Sequence, residues 1–429
     1  MEMVLPVVLL LALLALGIPV AISLALAGSV GIWMMSGLTT LLGILTTAPQ
    51  SSLGSYELLT VPMFILMAEL MGMSGISSSL FRAVAAWAGK LKGGLGISTV
   101  ITGALFGAVS GSSTASAATL ARTALPTMLE YNYRPGYAGG IVAIAGTIAM
   151  LIPPSVALIF YGLLSGTNIS ALLIAGITPG VLVTLVLSAV VWFTYDRNKT
   201  DAQKEQPAFS KAEKLRSLKV ALPFVGLFGV VTGLIYSGIA TPVESSALGA
   251  TAALLYTIVN RSFTFEGFRK AMIDTCSVTA MIGLIIVCAQ LFGYFVTVSG
   301  LARDLADLIV GSGMPVWQII AIIVVLYLFL GLFLDLISIL ILTVPVLLPI
   351  VQQLGLDPIW FGVVVILLAE IGIVTPPVGM NVFVISRVSG IPLAECFRGI
   401  TIPVLATLAL VIVFVVWPEL VLWLPNTMK

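Results

Sequence analysis

The sequence predicts an all-α polytopic membrane protein with two inverted-topology repeats. Each repeat is expected to hold about five transmembrane helices, one re-entrant hairpin and one helix broken at a Pro-Pro pair. The first observation is composition: 59% of the 429 residues are hydrophobic, 9% are charged, and the mean hydropathy is +1.18. Soluble domains carry roughly 25% charged residues. The apolar, charge-poor composition therefore predicts that a lipid bilayer surrounds the protein. The net charge of +1 suggests neither nucleic acid nor an acidic partner.

The second observation is an internal repeat that the prolines reveal. A shift of 223 residues places five prolines on prolines: Pro19 on Pro242, Pro126 on Pro349, Pro135 on Pro358, Pro153 on Pro376 and Pro154 on Pro377. This agreement exceeds what the proline density gives by chance and indicates a structural repeat. The halves are 1–206 and 207–429, joined by a polar seam over 196–219.

The third observation is the spacing of apolar segments. We predict spans near 3–17, 18–38, 59–80, 136–166 and 170–194, and in the second half near 219–239, 242–259, 272–298, 359–386 and 399–424. Residues 96–130 leave little room for two full crossings, because each crossing needs roughly 20 residues. They are predicted to form a re-entrant hairpin, the first hairpin, and residues 315–350 form the second hairpin.

Positive charge predicts the orientation of the two halves. Five crossings per half is an odd number, so the halves should be inverted. A cytoplasmic seam places sixteen of the nineteen Lys and Arg residues inside, as the positive-inside rule expects. Both termini are then periplasmic, and the first span is expected to be retained because MEMVLPVVLL lacks a basic leader region.

Each half contains a Pro-Pro pair inside a span. Proline lacks the N–H that bonds the carbonyl four residues back. Pro153 and Pro154 should therefore free the carbonyls of Ala149 and Met150 in the broken helix 136–166. By the same reasoning Pro376 and Pro377 should free those of Gly372 and Ile373 in the broken helix 359–386. A bare carbonyl survives in a membrane only where protein or a cavity covers it; the alternative is a structural kink.

Polar residues mark the middle of each hairpin. In the first hairpin, residues 110–114 read SGSST and form the predicted turn. They present hydroxyls and a helix N-terminus, or they let helices pack closely through small side chains. In the second hairpin Asp335 and Ser338 lie in an apolar run. An intramembrane Asp is a functional candidate by default, although it can also cap a helix.

Neutral carbonyl and hydroxyl oxygens without a cage of carboxylates suit a monovalent cation, because Ca²⁺ and Mg²⁺ generally recruit more carboxylate or water. We therefore predict Na⁺ at each pairing of a hairpin tip with a helix break, and an anionic substrate between them. Glu370 could stabilise a nearby cation, or could simply lie near an interface.

Several function classes are excluded or disfavoured. The chain has no His and only three scattered cysteines, so His-based catalysis is excluded, and no GxxxxGK[ST] loop provides an ATP site. An intramembrane protease would need a Ser-His pair, paired aspartates or a metal. The inverted repeat with broken helices makes a channel less favoured. The expected function is transport, without enzymatic activity.

The motifs resemble a known family. SGSSTASAATLAR, GTIAMLIPPSVALIFYG, FLDLISILILTVPVLLPIVQQLGLDPIWFG and EIGIVTPPVGMNVFV are similar to the large membrane subunit of TRAP (tripartite ATP-independent periplasmic) transporters. The resemblance implies a bacterial inner-membrane, Na⁺-driven importer of organic acids such as dicarboxylates, sialic acid or sugar acids. It also implies an elevator mechanism, a periplasmic binding protein and a small subunit of about four helices on a separate polypeptide.

The resemblance also implies site residues. The first Na⁺ site would use Ser110, Gly111, Ser113, Ala149, Met150, Ile152 and Pro154. The second would use Gly331, Asp335, Gly372, Ile373, Thr375 and Val378, and the substrate would contact Ser112, Thr114, Ser155 and Asn381. The alternative within transport is a self-sufficient Na⁺/dicarboxylate symporter of related architecture.

Overall fold

The computed structural model describes residues 4–198, 209–311 and 313–428, apart from the side chains of residues 77, 78, 108–110, 220 and 310. Over these ranges the fold is all-α, with no β-strand. The first half contains α1 (Val4–Ala15), α2 (Val20–Leu53), α3 (Thr60–Met73), α4 (Ile76–Ala88), α5 (Gly94–Ser110), α6 (Ser113–Thr123), α7 (Leu125–Glu130), α8 (Pro135–Thr147), α9 (Val156–Ser165) and α10 (Ile169–Asn198).

The second half follows the same order. It contains α11 (Lys211–Tyr236), α12 (Pro242–Val259), α13 (Phe265–Ser299), α14 (Leu301–Gly311), α15 (Val316–Gly331), α16 (Leu336–Gln353), α17 (Pro358–Ile373), α18 (Met380–Ser389), α19 (Leu393–Val416) and α20 (Glu419–Asn426). The starts of α6 and α16, and of α8 and α17, are 223 residues apart. The offset found in the prolines is therefore also an offset in the helices.

Seven helices among the described residues are long and apolar enough to cross a membrane. They are α2, Tyr56–Met73, α10, α12, α13, α16 and α19, and only 33% to 50% of each apolar stretch is buried inside the protein. The rest is apolar surface, which a chain in water rarely exposes on this scale. Six of the seven coincide with predicted spans, and the seventh, α16, is an arm of the second hairpin.

The remaining predicted spans correspond to shorter, broken or bent helices. The span near 3–17 is the 12-residue α1, and the span near 219–239 lies in α11. The search for apolar runs missed two features. First, α2 continues past a kink at Gly37, where φ is 82°, to Leu53. Second, the short helices α4 and α14 link the spans to the hairpins.

Local chemistry fixes the start of several helices. Thr241 and Glu244 form a capping box at α12, in which the Thr241 hydroxyl accepts the Glu244 N–H and the Glu244 carboxylate accepts the Thr241 N–H. Asp357 caps α17 by accepting the N–H groups of Ile359 and Trp360. Such caps satisfy N–H groups that have no partner within the helix.

The two predicted broken helices form the centre of the protein. Every residue of α8 from Gly136 to Thr147 is buried, and so is every residue of α17 from Trp360 to Ile373. Helix α8 packs on α5, α6 and α19, and α17 packs on α15, α16 and α10. The hairpin arms therefore pack around the two helices that precede the breaks.

Candidate functional site

Both Pro-Pro pairs break their helices. The first break covers residues 151–155, between the short 3-10 turn Ile148–Met150 and α9, and the second covers 374–379, between α17 and α18. Each contains a cis peptide, Pro153–Pro154 and Pro376–Pro377. The first break is mostly buried, whereas Pro376, Pro377 and Val378 of the second are exposed.

Two of the carbonyls predicted to be bare already have partners. The Met150 carbonyl accepts the Ser155 hydroxyl at 2.5 Å. The Gly372 carbonyl accepts the Thr375 N–H at 3.0 Å and its hydroxyl at 2.8 Å. The expectation of unpartnered carbonyls is therefore corrected at these two positions, because hydroxyl side chains inside each break fold back on it. A carbonyl oxygen has two lone pairs, so the Met150 carbonyl keeps one for a further contact, whereas the Gly372 carbonyl already accepts two hydrogen bonds.

The first hairpin consists of α5, the turn at residues 111–112, and α6. Gly111 ends α5 with a φ of 53°, and a Cβ there would lie 2.8 Å from Val156 Cγ2, directly after the first break. Ser112 caps α6 by accepting the Ala115 N–H at 3.4 Å, and its hydroxyl lies 3.3 Å from that of Thr114. The Ser110 side chain lies outside the described residues. The first tip is thus packed against the first break.

The first hairpin also contacts the second break. Asn381, in the first turn of α18, donates through Nδ2 to Ser113 Oγ at 3.0 Å, and both residues are buried. Ser155 is also buried, and its hydroxyl caps α9. The predicted substrate residues are Ser112, Thr114, Ser155 and Asn381. Ser112 and Thr114 are half-buried, so the four side chains do not share one environment.

The second hairpin consists of α15, the turn at residues 332–335, and α16. Asp335 caps α16: its carboxylate accepts the Ser338 N–H at 3.3 Å and the Ser338 hydroxyl. The Asp335 side chain is exposed. The cap that was the alternative interpretation is therefore present, and it leaves the carboxylate accessible to a ligand.

In each half the first hairpin arm touches the backbone that precedes the break. A Cβ on Gly331 would lie 2.6 Å from the Cα of Gly372, and a Cβ on Gly107 would lie 2.2 Å from the Cα of Ala149. Glycine permits such approaches because it has no side chain. At the second break this approach brings together Gly331, Gly372, Ile373 and Thr375. At the first break it brings the first hairpin arm against Ala149.

The second hairpin arms cross to the opposite half. Helix α6 packs on α18, and α16 packs on α9. The first tip therefore lies near both breaks, and the second hairpin contacts the first half through α9, although the sequence repeat suggested pairing only within a half.

Two features lie outside the set of predicted site residues, although the sequence already offered Glu370 as a residue that could stabilise a nearby cation. Glu370 is 1% exposed, and neither of its carboxylate oxygens has a hydrogen-bond partner among the described residues. A cavity of about 500 Å³ opens between the end of α2, the α9–α10 turn and the start of α12, with Ser51, Ser52, Thr60 and Gln290 in its lining. Of the predicted site residues with described side chains, none lines it. Its residues come from distant segments without a shared motif, so no sequence signal identified it.

Comparison with known proteins agrees with this architecture. Residues 7–420 match the family model described as "Tripartite ATP-independent periplasmic transporter, DctM component". The chain is 35% identical over 425 residues to the sialic acid TRAP transporter large permease protein SiaM of Vibrio cholerae, covering 97% of this chain and 96% of that protein. It is 34% identical over 373 residues to the C4-dicarboxylate TRAP transporter large permease protein DctM of Pseudomonas aeruginosa, covering 86% of each.

A solved structure shares the fold. The Alcanivorax borkumensis YdaH transporter superposes with a TM-score of 0.68 at 17% sequence identity, over 98% of this chain and 99% of that one. The matched relatives are named for transport rather than catalysis. The chain therefore belongs to the DctM component family of the tripartite ATP-independent periplasmic transporters, as a large permease subunit that passes many times through the inner membrane.

Proposed function

We propose that this permease imports an organic acid anion in symport with Na⁺. The observation that carries the proposal is the placement of two hairpin tips beside two symmetric helix breaks, which brings backbone and hydroxyl oxygens together inside an apolar protein. Broken helices of this kind form ion and substrate sites in secondary transporters. The relatives named for sialic acid and C4-dicarboxylates support a carboxylated substrate.

The ion sites follow the tip-and-break pairs. In the first, oxygens of Ser110, Gly111 and Ser113 would act with those of Ala149, Met150, Ile152 and Pro154. In the second, Asp335 would supply charge beside Gly331, Gly372, Ile373, Thr375 and Val378. The half-buried hydroxyls of Ser112 and Thr114 are the best placed of the four predicted substrate contacts, since the Ser155 hydroxyl and the Asn381 amide are fully buried.

The movement would be that of an elevator, in which the hairpins and broken helices slide as a unit against a scaffold. A periplasmic binding protein would deliver the substrate, and a small membrane subunit would flank the scaffold. A self-sufficient symporter remains the second candidate. The two differ in whether a binding protein is required for uptake.

Uptake into proteoliposomes tests the function. Purified permease, reconstituted with its small subunit, should accumulate radiolabelled sialic acid or a C4-dicarboxylate only when its binding protein and an inward Na⁺ gradient are both present. Asp335→Asn should weaken the Na⁺ dependence, whereas Asp307→Asn, which removes an exposed carboxylate on α14, should not. Uptake that is indifferent to Na⁺ refutes the coupling, and uptake without the binding protein favours the self-sufficient symporter.

Orientation is tested by cysteine labelling. We propose periplasmic termini and a cytoplasmic seam over 196–219, of which residues 199–208 lie outside the described residues. Cys276 is an exposed native thiol, so it is first replaced by Ala, and Ala212→Cys is then introduced at an exposed position of α11. In intact cells a membrane-impermeant maleimide should not react there until the membrane is opened. Labelling of sealed cells inverts the topology.

A further inference from the structure

Glu370 is a buried carboxylate with no hydrogen-bond partner. It lies in α17, two residues before Gly372, and its side chain is 1% exposed. Neither oxygen has a hydrogen-bond partner among the described residues, so no lysine or arginine there forms a hydrogen-bonded ion pair with it. Buried charges are otherwise paired or bound to metal ions. An intramembrane carboxylate without a partner therefore points to a ligand.

Three chain segments are linked through the Ser113 hydroxyl, which lies beside this carboxylate. The Ser113 hydroxyl of α6 is close enough to interact with Glu370, although the two do not form a hydrogen bond of normal geometry. Ser113 Oγ also lies 3.0 Å from Nδ2 and 3.4 Å from Oδ1 of Asn381 in α18. The exposures of Ser113 and Asn381 are 3% and 0%. Glu370, Ser113 and Asn381 are thus linked through the Ser113 hydroxyl into a cluster of oxygen-bearing groups from both halves.

The cluster lies beside the tip of the first hairpin. A Cβ on Gly146 of α8 would lie 2.8 Å from the Ser113 carbonyl oxygen, so that carbonyl also faces the core rather than solvent. Around Glu370, α17 carries apolar residues: Ile366, Leu367, Leu368, Ala369 and Ile371 are at most 2% exposed. A charge placed here is shielded from bulk solvent and is stabilised by the polar groups of the cluster.

We infer that Glu370 supplies the negative charge of the monovalent-cation site at the tip of the first hairpin. Ser113 and Asn381 provide neutral oxygens, and Na⁺ is the cation. This inference rests on the proposed Na⁺ coupling and deepens it, because it adds two ligands from the second half to a site that the sequence repeat assigned to the first half. The bound cation then joins α6 to α17 and α18, so its binding stabilises the contact between the halves.

The negative charge of Glu370 is expected to dominate the affinity of this site for Na⁺. The attraction between Na⁺ and a carboxylate is strong in a water-poor interior, where the effective dielectric constant is low. Removing the carboxylate charge should weaken Na⁺ binding far more than it changes the shape of the site, since Glu370→Gln is nearly isosteric. Glu266, exposed in the first turn of α13, provides the matched control.

The test is Na⁺-dependent thermal stability of the purified full chain in detergent. NaCl is titrated against choline chloride at constant ionic strength, and a ligand that binds the folded state raises the melting temperature. We expect Glu370→Gln to raise the half-saturating Na⁺ concentration by about tenfold or more, equivalent to about 1.4 kcal/mol. Glu266→Gln should match the wild type.

Each result decides one claim. A wild type without any Na⁺ response contradicts the proposed Na⁺ coupling. A wild type that responds, together with a Glu370→Gln variant of unchanged Na⁺ dependence, overturns the inference alone, as expected if the carboxyl is kept neutral by a proton. Should Glu370→Gln fail to fold, Asn381→Ser is titrated instead; a weaker Na⁺ response supports the cluster as the site, and an unchanged response overturns it.

Discussion

The contact between Gly331 and Gly372 holds the second hairpin against the helix that precedes the second break, and Gly331→Ala tests it. The added Cβ would lie 2.6 Å from Gly372 Cα and 3.1 Å from the Ala369 carbonyl oxygen. Ordinary van der Waals contact begins at 3.4 Å. The two helices must therefore separate by about 0.8 Å, and backbone atoms cannot rotate away as a flexible side chain can.

The expected cost is that of overpacking a core, about 1–3 kcal/mol in the free energy of unfolding. Gly293→Ala in α13 is the matched control, because nothing lies within 4 Å of the added Cβ. In a helix interior that exchange should be neutral or stabilising by up to about 1 kcal/mol. The two substitutions add the same methyl group and should change stability in opposite directions.

Thermal unfolding of both variants in detergent measures the difference. Gly331→Ala should melt below the wild type and Gly293→Ala at or above it. Uptake should also fall for Gly331→Ala, because the displaced hairpin carries the proposed second ion site. If Gly331→Ala proves as stable as Gly293→Ala, α15 and α17 are not in the close contact described. The second tip and the second break then do not form a shared site.

Three further substitutions probe the same core, each measured by its melting temperature in detergent. Ser155→Ala removes the cap of α9 and the donor to Met150, and should cost about 0.5–2 kcal/mol; Ser155→Thr should recover part of this. Gly111→Ala forces alanine to a φ of 53° against Val156 and should cost at least about 1–2 kcal/mol, so an unchanged stability contradicts the turn. Tyr161→Phe removes a 2.7 Å hydrogen bond to the first residue of α17 and should cost about 1 kcal/mol, whereas no loss would mean that bond is not formed.

Much of the helical arrangement was predictable because proline leaves a strong local signal. The Pro-Pro pairs located both breaks, and α12 occupies the predicted 242–259. The linking helices α4 and α14 escaped the search because they are short and only partly apolar. The kink of α2 at Gly37 depends on a left-handed backbone conformation that Gly permits but does not require.

The side-chain contacts of the site were less predictable than its backbone. The sequence repeat relates equivalent positions in the two halves, but contacts between halves, such as Ser113 with Asn381, do not follow from it. For Glu370 the sequence left two interpretations open, a residue that stabilises a cation and a residue near an interface, and its burial favours the first. The Ser155 and Thr375 hydroxyls occupy carbonyls that proline geometry alone leaves unpaired.

The crossing of the second hairpin arms, α6 onto α18 and α16 onto α9, has a consequence for stoichiometry. A shift of either half would therefore also move a helix that packs on the other half. Under the proposed symport, the ligands held at the two tips would move together, so the number of Na⁺ ions carried with each substrate would be fixed by the number of sites in this core.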